Sequence, residues 1–392
     1  MRTARRYLAQ EIYRSSAVML IALVGLFSFF AVIEDLDSVG PRFTLANLFY
    51  LQLLSLPART YELLPIALLI GAVLALAGLA QRNELVILRV SGVSGMKLLA
   101  SLWILTLPLV GGAFLLSEFI TPAAELKSSE ASMMLLGRAQ GGRMQSGYWF
   151  RESDQSDGIR IINISELKGG GEVAGVAIYE FRKGQELATV SYAATGRFEG
   201  NNLVLSDLIE TRIDPTATTA LITGRRTEKP MTLESSLPER TLQTTLTQER
   251  LIARVLTPER MAMTDLADYI DYLKSNQLQT ERQVVALWRK AAYPFTLLVM
   301  ITIAAPIGFM QTRRGGVGGK VFAGILLGVG FFMLNQLALN IGMLGQWPPW
   351  LTALLPSIGG LVLALSSLLI LENQHRIFRL VRGRRHWTNR LA

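Results

Sequence analysis

The stretch SSAVMLIALVGLFSFFAVI, residues 15–33, decides the fold class, because it is long and apolar enough to cross a membrane as a helix. It contains eleven Val, Ile, Leu and Phe residues, and each favours insertion by about 0.3–0.6 kcal/mol near the helix centre. A cleavable signal peptide is the other interpretation. Glu34 and Asp35 follow the stretch directly, however, and no small-x-small cleavage site is present. We therefore interpret residues 15–33 as a retained transmembrane helix.

Five further apolar stretches have the length of a membrane span, and the third is predicted to end at Thr121-Pro122. They cover Leu63–Ala80, Leu98–Ile120, Ala291–Met310, Val321–Met343 and Leu351–Leu371. The sequence therefore predicts six transmembrane helices, with a long segment free of spanning runs between the third and the fourth.

Lysine and arginine residues in the short connections predict the orientation of these helices. Sixteen of them lie on one side of the membrane and only Arg42 and Arg59 on the other. The sixteen are Arg2, Arg5, Arg6, Arg14, Arg82, Arg89, Lys97, Arg313, Arg314, Lys320, Arg376, Arg379, Arg382, Arg384, Arg385 and Arg390. Because the basic side is normally cytoplasmic, both termini are predicted to be cytoplasmic and the long segment extracytoplasmic.

The long segment reads as an all-β domain followed by a helix. Short alternating or β-branched runs are separated by turn signals, which is typical of a β-sandwich of about 110 residues. The runs are Tyr148–Arg151, Ile159–Ile164, Val173–Phe181, Leu187–Tyr192, Asn202–Leu208 and Thr218–Thr223. A helical pattern follows at Thr257–Asn276, where Thr257 and Pro258 suit the N-cap and first helical position.

These patterns define the fold class as a polytopic α-helical membrane protein with six transmembrane helices and an inserted periplasmic all-β domain. The first three spans occupy residues 1–124, and the periplasmic insertion with its helical connector occupies residues 125–285. The last three spans occupy residues 286–375. Residues 376–392 form a basic tail, which we expect to lie against anionic lipid headgroups on the cytoplasmic side.

Several chemistries are disfavoured by composition. The chain has no cysteine and only two histidines, His375 and His386, and no carboxylate cluster has metal-ligand spacing, so no metal site is predicted. The loop Gly315–Lys320 resembles a phosphate-binding loop, but its first glycine is misplaced and Val321 stands where Ser or Thr must hold Mg²⁺. We therefore expect no catalytic residues and no ATP hydrolysis in this chain.

The connection between the second and third spans is a short amphipathic helix at about residues 82–91. Leu85 and Leu88, with Val86 as a possible third member, lie on one face, whereas Glu84 and Arg82 lie elsewhere. One interpretation is an interfacial helix with snorkelling arginines. The other is a coupling helix that docks a cytoplasmic partner through its exposed charges. The pattern alone does not decide between them.

Three sets of residues give this chain a resemblance to the lipopolysaccharide-export permeases, LptF and LptG. They are Leu64–Ala72 with Leu79–Val86 and Ser91-Gly92, the string Ser191–Thr195, and Leu287–Lys290 followed by Tyr293-Pro294. The resemblance covers essentially the whole chain, including the layout of three spans, a domain and three spans. The strings Ala80–Val86 and Tyr192–Ala194 are closer to the G-type subunit than to the F-type subunit.

The resemblance implies a fold, partners and a function. Such permeases form a heterodimer of an F-type and a G-type subunit, with two cytoplasmic ATPase subunits and a single-pass regulatory bridge subunit. The complex extracts lipopolysaccharide from the inner membrane and passes it to a periplasmic bridge, and the periplasmic domain is jelly-roll-like. ATP and Mg²⁺ are bound by the ATPase, so no cofactor is expected in this chain. The helix at 82–91 would be the ATPase-coupling site, with Glu84, Arg82, Leu85, Leu88 and Arg89 as its residues.

The resemblance also suggests a lateral gate formed with the partner subunit by the first and fifth spans. The candidate residues are Phe27, Phe30, Gly324, Gly328, Phe331 and Asn335. Ordinary packing within the chain is the alternative for the small-xxx-small pair Gly324 and Gly328. Both interpretations remain open at the level of sequence.

At the family's lipid-phosphate contacts this chain departs from the resemblance. Some family members carry lysines directly after the first span, but this chain has Glu34, Asp35 and Asp37 there. Arg42 and Arg59 are the remaining candidate lipid-phosphate contacts. Plain interfacial arginines are the alternative interpretation of both.

Two other functions compete with this one. The chain could be the permease of another lipid or lipoprotein exporter, or a non-transporting scaffold for envelope assembly. A secondary transporter is disfavoured because the spans lack Asp, Glu or Arg near their midpoints. Co-purification of an ATPase would separate a permease from a scaffold.

Overall fold

The computed structural model describes residues 2–40, 43–92, 94–136, 148–153, 158–167, 171–182, 186–200, 202–213, 232–244, 257–276, 278–309 and 317–372. The chain divides into two compact units. The first contains residues 1–37, 55–122 and 281–392, and the second contains residues 38–54 and 123–280. Each unit is described separately below.

Six helices of the described chain are long and apolar enough to cross a membrane, which confirms the predicted number of spans. Helix α1 covers Arg2–Asp35, α2 covers Leu45–Gln81, α3 covers Glu84–Val90, α4 covers Gly95–Leu115 and α5 covers Thr121–Leu136. Further along the chain, α6 covers Met263–Ser275, α7 covers Glu281–Phe309, α8 covers Val317–Leu344 and α9 covers Pro349–Glu372. The short α3 and α6 are not among the spanning helices.

Several spans are longer than the apolar stretches in the sequence. Helix α2 has 37 residues, which is about 55 Å at 1.5 Å per residue and exceeds a hydrocarbon core of about 30 Å. The helix passes through both Pro57 and Pro65 without ending. The predicted span at Leu63–Ala80 is therefore the apolar part of a helix that extends well beyond it.

The prediction that the third span ends at Thr121-Pro122 is wrong. Helix α4 passes through a π-helical turn at Leu116–Ile120 and continues as α5. A π turn widens the helix by one residue and changes its hydrogen-bond register. Proline lacks a backbone N–H and ordinarily ends a helix. The π turn just before Pro122 changes the hydrogen-bond register there, so the helix continues through the proline.

Two residues with positive φ define the short helix α3. Asn83 has φ 58°, in the left-handed region that Asn tolerates better than most residues, and it separates α3 from α2. Gly92 has φ 85° and follows the other end of α3. The side chain of Ser94 then accepts a hydrogen bond from the Lys97 backbone N–H and begins α4. The resulting helix is shorter than the predicted 82–91.

Helix α2 lies at the centre of the membrane bundle. In the most apolar part of α2, 72% is buried, whereas the corresponding fraction is 6% in α1, 17% in α8 and 22% in α9. The core is formed chiefly by α2, α4 and α7, with side chains such as Leu69, Leu76 and Leu102 fully buried. Helix α1 therefore contributes little of its apolar surface to the packing of this chain.

The insertion contains six antiparallel strands in one sheet, which confirms an all-β domain. The strands are β1 Tyr148–Ser153, β2 Ile159–Leu167, β3 Glu172–Phe181, β4 Leu187–Glu199, β5 Asn202–Ile213 and β6 Thr232–Gln243. Each strand pairs with its neighbour in sequence, so the described strands form a single meander rather than the separate sheets of a sandwich. The predicted strand at residues 218–223 lies outside the described residues.

The sheet is curved, so strands that are not neighbours within it come into contact at one end. Arg240 of β6 bonds Glu180 of β3 at 3.3 Å, and Thr244, just after β6, bonds Glu152 of β1 at 2.6 Å. One face encloses an apolar core that includes Phe150, Ile162, Ile178, Leu203 and Leu208. The curvature gives the sheet an enclosed apolar interior, but the meander order of the described strands differs from the Greek-key order of the predicted jelly-roll-like domain.

Helix α6 begins later than the sequence predicted. Pro258–Arg260 forms a 3₁₀ turn, and the α-helix starts only at Met263. Thr257 occupies the N-cap position of the turn but makes no side-chain capping bond there. Arg260 instead bonds the buried carboxylate of Glu125 in α5 at 2.8 Å. This ion pair attaches the turn to α5 within the second unit.

Candidate coupling site and membrane gate

Arg82 joins the connection after α2 to the beginning of α1. Its Nη2 donates to Glu11 Oε1 at 2.9 Å, and its Nε lies 3.0 Å from Glu84 Oε1. The hydrogen bond to Glu11 is the main reason that the pKa of Arg82 is raised. The two carboxylates thus share one guanidinium, whose side chain is half exposed.

Glu84 stands at the first position of α3, where a negative charge complements the positive end of the helix dipole. Its side chain is 31% exposed, and Tyr7 of α1 is a further neighbour of its carboxylate. The second oxygen, Oε2, is shielded from solvent and has no hydrogen-bond partner among the described residues. Glu84 is therefore held by Arg82 and Tyr7 of its own chain, and only part of its side chain reaches the surface.

Leu85 anchors α3 to the bundle and does not face a partner. It is 5% exposed and packs in the same core as Leu8, Leu79 and Leu98. This corrects its assignment as a docking residue, because a buried side chain has no surface to offer. Ile87 and Val90 are instead 63% and 84% exposed. The side chains of Leu88 and Arg89 lie outside the described residues.

Helix α1 is attached to the bundle near its beginning. Besides the bond from Arg82 to Glu11, the Tyr13 hydroxyl donates to the backbone oxygen of Leu105 in α4. Helix α1 crosses α2 where Ser16 meets Gly71. A Cβ added at Gly71 would overlap the Ser16 backbone. A glycine is required at this close approach.

The rest of α1 presents apolar side chains outward. Phe27 and Phe30, two of the candidate gate residues, are 52% and 59% exposed, as are others along the same half of the helix. Outward apolar side chains are expected of a helix that faces lipid or another subunit. This half of α1 is therefore free to meet either one.

The fifth span packs against its own chain through the two glycines proposed for the gate. A Cβ at Gly324 would lie 3.2 Å from Val73, and one at Gly328 would lie 3.4 Å from Ile66 and Leu69. Both glycines are therefore turned toward α2, which favours the intramolecular interpretation of the pair. They are not available to a partner subunit in this conformation, which corrects their assignment to the gate surface.

The two other gate candidates in α8 also differ in exposure. Phe331 is 8% exposed and contacts the position where Gly360 of α9 lacks a side chain. It is a core residue, because its ring fills the space between two helices. Asn335 is half-buried. The exposed surface of α8 is formed by other side chains, among them Phe322, Leu326 and Met333.

A polar layer crosses the bundle about 30 Å from α3. Tyr61 of α2 and Tyr293 of α7 stack with their ring centroids 4.1 Å apart, and the Tyr293 hydroxyl donates to the Tyr61 backbone oxygen at 2.7 Å. Ser117, Glu118 and Arg289 are neighbours of the Tyr61 side chain. Tyr61 precedes Arg82 by 21 residues, or about 31 Å of helix, which matches the thickness of the hydrocarbon core.

The candidate phosphate contacts are only partly described. Arg59 is half-buried, two residues from Tyr61, and has interactions of its own within the chain. Arg42 lies outside the described residues. The acids Glu34, Asp35 and Asp37 are exposed at the end of α1. Among the residues that the structure describes, no group of three or more His, Asp or Glu is arranged to hold a metal ion.

Four residues of the coupling site were missed from the sequence. Tyr7 and Glu11 precede the first apolar stretch and are remote in sequence from Glu84, so no local motif connects them. The spacing of Leu8 and Ile12 indicates a buried helix face before the apolar stretch, because residues four apart share a helix face. Ile87 and Val90 carry no signal of their own, because the sequence of so short a helix does not show which of its apolar residues are buried.

Comparison with known proteins gives a consistent result over nearly the whole chain. The family model described as lipopolysaccharide export system permease LptF/LptG matches residues 6–371. The lipopolysaccharide export system permease protein LptG of Escherichia coli K12 is 28% identical over 363 residues, which cover 92% of this chain and 96% of that protein. The LptG protein of Haemophilus influenzae is 24% identical over 357 residues, covering 91% and 95%.

Proposed function

Because this chain belongs to the LptF/LptG family of lipopolysaccharide export system permeases, we propose that it is the G-type half of an ATP-driven lipid extractor. It is a multi-pass membrane protein and a transport subunit rather than an enzyme. The proposed complex contains an F-type permease subunit, two cytoplasmic ATPase subunits and a single-pass bridge subunit. ATP and Mg²⁺ are bound by the ATPase subunits.

The proposed orientation places both termini and α3 in the cytoplasm and the β-domain in the periplasm. The excess of Lys and Arg on the side of α3 supports it, because such residues are retained on the cytoplasmic side. Lipopolysaccharide would enter from the outer leaflet, near the layer of Tyr61 and Tyr293. Arg59 lies at that level, where its guanidinium is suited to a lipid phosphate.

The surface of α3 is the observation that carries the coupling proposal. Ile87 and Val90 follow Glu84 on the same short helix and expose their apolar side chains. Either a partner protein or the membrane surface would bury them, and membership of the permease family favours the partner. We propose that this face enters a groove of the ATPase and that the exposed part of the Glu84 side chain faces a cationic group there.

Movement of α1 supplies the proposed gate. The helix is attached near α3 through Glu11, Tyr13 and Ser16, while its apolar second half faces outward. Motion transmitted by α3 would therefore reach α1 directly through Arg82. A partner subunit covering Phe27 and Phe30 would close the lipid cavity, and separation from it would open the cavity.

The test is charge reversal at Glu84 in the chain co-expressed with its F-type and ATPase partners. Loss of one member of a desolvated charge pair costs about 2–5 kcal/mol, or about 30-fold or more in Kd. Glu84→Lys should therefore nearly abolish co-purification of the ATPase, while membrane insertion stays normal. An acidic substitution in the ATPase groove should partly restore binding of this variant.

Glu11→Lys is the matched control, because Glu11 contacts the same guanidinium from α1. If Glu84 serves only to hold Arg82, the two variants should have equal effects on ATPase binding. If Glu84 meets the ATPase, only its own reversal should remove the ATPase. Full ATPase binding and full lipid export by Glu84→Lys would show that α3 is an interfacial helix without a coupling role.

A further inference from the structure

A π turn changes the hydrogen-bond register between α4 and α5. It covers Leu116–Ile120, and after it the Thr121 N–H donates to the Leu116 backbone oxygen, five residues back instead of four. Such a turn contains one residue more than an α turn and occurs frequently at functional sites. Each residue of α5 is therefore set back by about 100° around the helix axis, compared with an uninterrupted α-helix. The π turn thus determines which face of α5 is buried.

The buried face of α5 is polar. Its members lie along one side of the helix and are each at most 5% exposed, and they are Thr121, Glu125, Ser128, Ser129 and Ser132. The hydroxyls of Thr121, Ser129 and Ser132 have no hydrogen-bond partner among the described residues. The apolar side chain of Leu126, by contrast, is exposed on the same helix. Buried hydroxyls without partners are unfavourable, so the side chains of α5 do not favour this register.

Conversion of the π turn to an α turn would give α5 a less polar buried face. Each residue of α5 would then take the place that the next residue in the chain now holds. Ala124 would take the buried place of Glu125, and Ala131 would take the buried place of Ser132. The rotation would thus bury two methyl groups where a carboxylate and a hydroxyl are buried now.

Three features oppose this rotation and stabilise the present register. Arg260 bonds the buried carboxylate of Glu125 at 2.8 Å, and this ion pair would break. Lys127 would enter the buried place of Ser128. In an α turn, the ring of Pro122 would also clash with the backbone oxygen four residues before it. Costs in one register and unpartnered hydroxyls in the other are the balance that a two-state element requires.

We propose that α5 is a register switch, a helix that rotates about its own axis between a π register and an α register, with Leu116–Ile120 as its pivot. In chain order α5 leads from the third span to the β-domain. A change of its register is therefore a route by which movement of that span reaches the domain. The switch uses only residues of this chain and requires neither an ATPase nor an exported lipid.

Single cysteines in α5 distinguish rotation from unfolding, because the chain has no cysteine of its own. This part of α5 carries charged side chains and so lies outside the hydrocarbon, where a water-soluble maleimide reaches it. In the α register, Ser129→Cys should gain reactivity, because it moves to the half-buried place of Glu130. Ala124→Cys should lose reactivity, because it moves from a half-buried place to the buried place of Glu125. Ser128→Cys should stay protected, because its place is buried in both registers.

Glu125→Gln should move α5 toward the α register, because it removes the charge that Arg260 holds. In full-length chain in nanodiscs, this substitution should raise the maleimide labelling rate of Ser129→Cys by about tenfold, which corresponds to about 1.4 kcal/mol. It should lower the rate of Ala124→Cys at the same time. Pro122→Ala favours the same register and replaces Glu125→Gln if that variant does not fold.

Deletion of Phe119 is the matched control. It removes the extra residue of the π turn, so the helix becomes regular while α5 keeps its present buried face. The Phe119 side chain is 63% exposed, so its loss leaves no cavity. In the deletion background, Ser129→Cys should stay as slow as Ser128→Cys, with or without Glu125→Gln.

Two results would overturn the register switch. Equal acceleration of Ser128→Cys and Ser129→Cys by Glu125→Gln would mean that α5 unfolds and does not rotate. Labelling of Ser129→Cys that stays as slow as that of Ser128→Cys with both Glu125→Gln and Pro122→Ala would mean that α5 is static and that its hydroxyls bond buried water. Neither result depends on ATPase binding, so the coupling proposal is tested separately.

Discussion

The guanidinium of Arg82 donates a hydrogen bond to Glu11 Oε1 at 2.9 Å, across 71 residues of sequence. This bond connects the short helix α3 with α1, which is otherwise the least buried of the spanning helices. Arg82 also faces Glu84, so the proposed docking residue and the base of the proposed gate helix share one cation. The contact connects α3, the proposed ATPase-docking helix, directly to α1.

The exposed apolar side chains of α3 are expected to contribute to ATPase binding without contributing to folding. Ile87→Ser and Val90→Ser should leave the melting temperature nearly unchanged, because both side chains are largely exposed. Each should weaken ATPase co-purification, since burial of a large aliphatic side chain is worth about 1.5–3 kcal/mol. Binding is measured by titrating purified ATPase onto the permease dimer.

Leu85→Ala is the contrasting variant at the same helix. Leu85 is buried, so its truncation should destabilise the chain by about 2–5 kcal/mol and lower the melting temperature. If Ile87→Ser lowers the melting temperature as much as Leu85→Ala does, the exposed face assigned to α3 is wrong.

The attachment of α1 should depend on the absence of a side chain at Gly71. A Cβ there overlaps Ser16, so Gly71→Ala should cost about 1–3 kcal/mol through overpacking. Part of this cost should appear as local detachment of α1, detected by faster trypsin cleavage after Arg14. Melting and cleavage are measured on the same purified chain.

Gly78→Ala provides the control within the same helix. Its added Cβ meets no atom within 4 Å, so the substitution should stabilise α2 by up to about 1 kcal/mol through helix propensity alone. Equal destabilisation by both substitutions would mean that the crossing of α1 and α2 is not where the structure places it.

Impermeant thiol labelling of intact cells should establish the orientation. The chain contains no cysteine, so Ser91→Cys and Ser235→Cys each introduce a single reactive site. Both positions are exposed, the first beside α3 and the second on β6. Ser235→Cys should react in intact cells, and Ser91→Cys only after the inner membrane is permeabilised. The reverse pattern would contradict the proposed orientation.

Elements with strong periodicity were predictable from the sequence, and those that depend on distant contacts were not. All six spans and the first five strands follow local apolar patterns. Strand β6 was missed because it is polar and contains Pro238, and it forms an edge of the sheet. Proline is tolerated at a sheet edge because its missing N–H then breaks no bond within the sheet.

In the candidate site, too, local sequence indicates some residues, whereas contacts between distant residues appear only in the folded chain. The family resemblance points to Glu84, but nothing in the sequence points to Glu11, because only the folded chain brings the two carboxylates to one guanidinium. The small-xxx-small spacing of Gly324 and Gly328 indicates close packing, and the resemblance assigned that packing to the gate. Their partner, α2 of the same chain, could not be deduced from the glycines themselves. Local sequence thus indicates which residues pack closely, but not which surface they meet.

The last prediction concerns the ion pairs that close the curved sheet. Arg240 of β6 lies 3.0 Å from Glu210 of β5 and 3.3 Å from Glu180 of β3. The Glu210 side chain is only 4% exposed, so loss of Arg240 would leave a shielded carboxylate with Arg212 as its remaining cationic partner. Arg240→Met should lower the opening free energy of β5 and β6 by about 1–3 kcal/mol, the usual cost of an unsatisfied buried group.

Hydrogen–deuterium exchange of the full-length chain measures this effect locally, which a global melting curve of a two-unit protein cannot do. Arg197→Met is the control on the same sheet, because the Arg197–Glu172 pair at 3.1 Å is 61% and 50% exposed. An exposed pair contributes about 0–1 kcal/mol, so exchange from β3 and β4 should change little. Similar changes in the two variants would indicate that Arg240 is a surface cation and that the apolar core alone keeps the sheet curved. A larger change for Arg240→Met would show that the ion pairs of Arg240 with Glu210 and Glu180 help to hold β6 in the curved sheet.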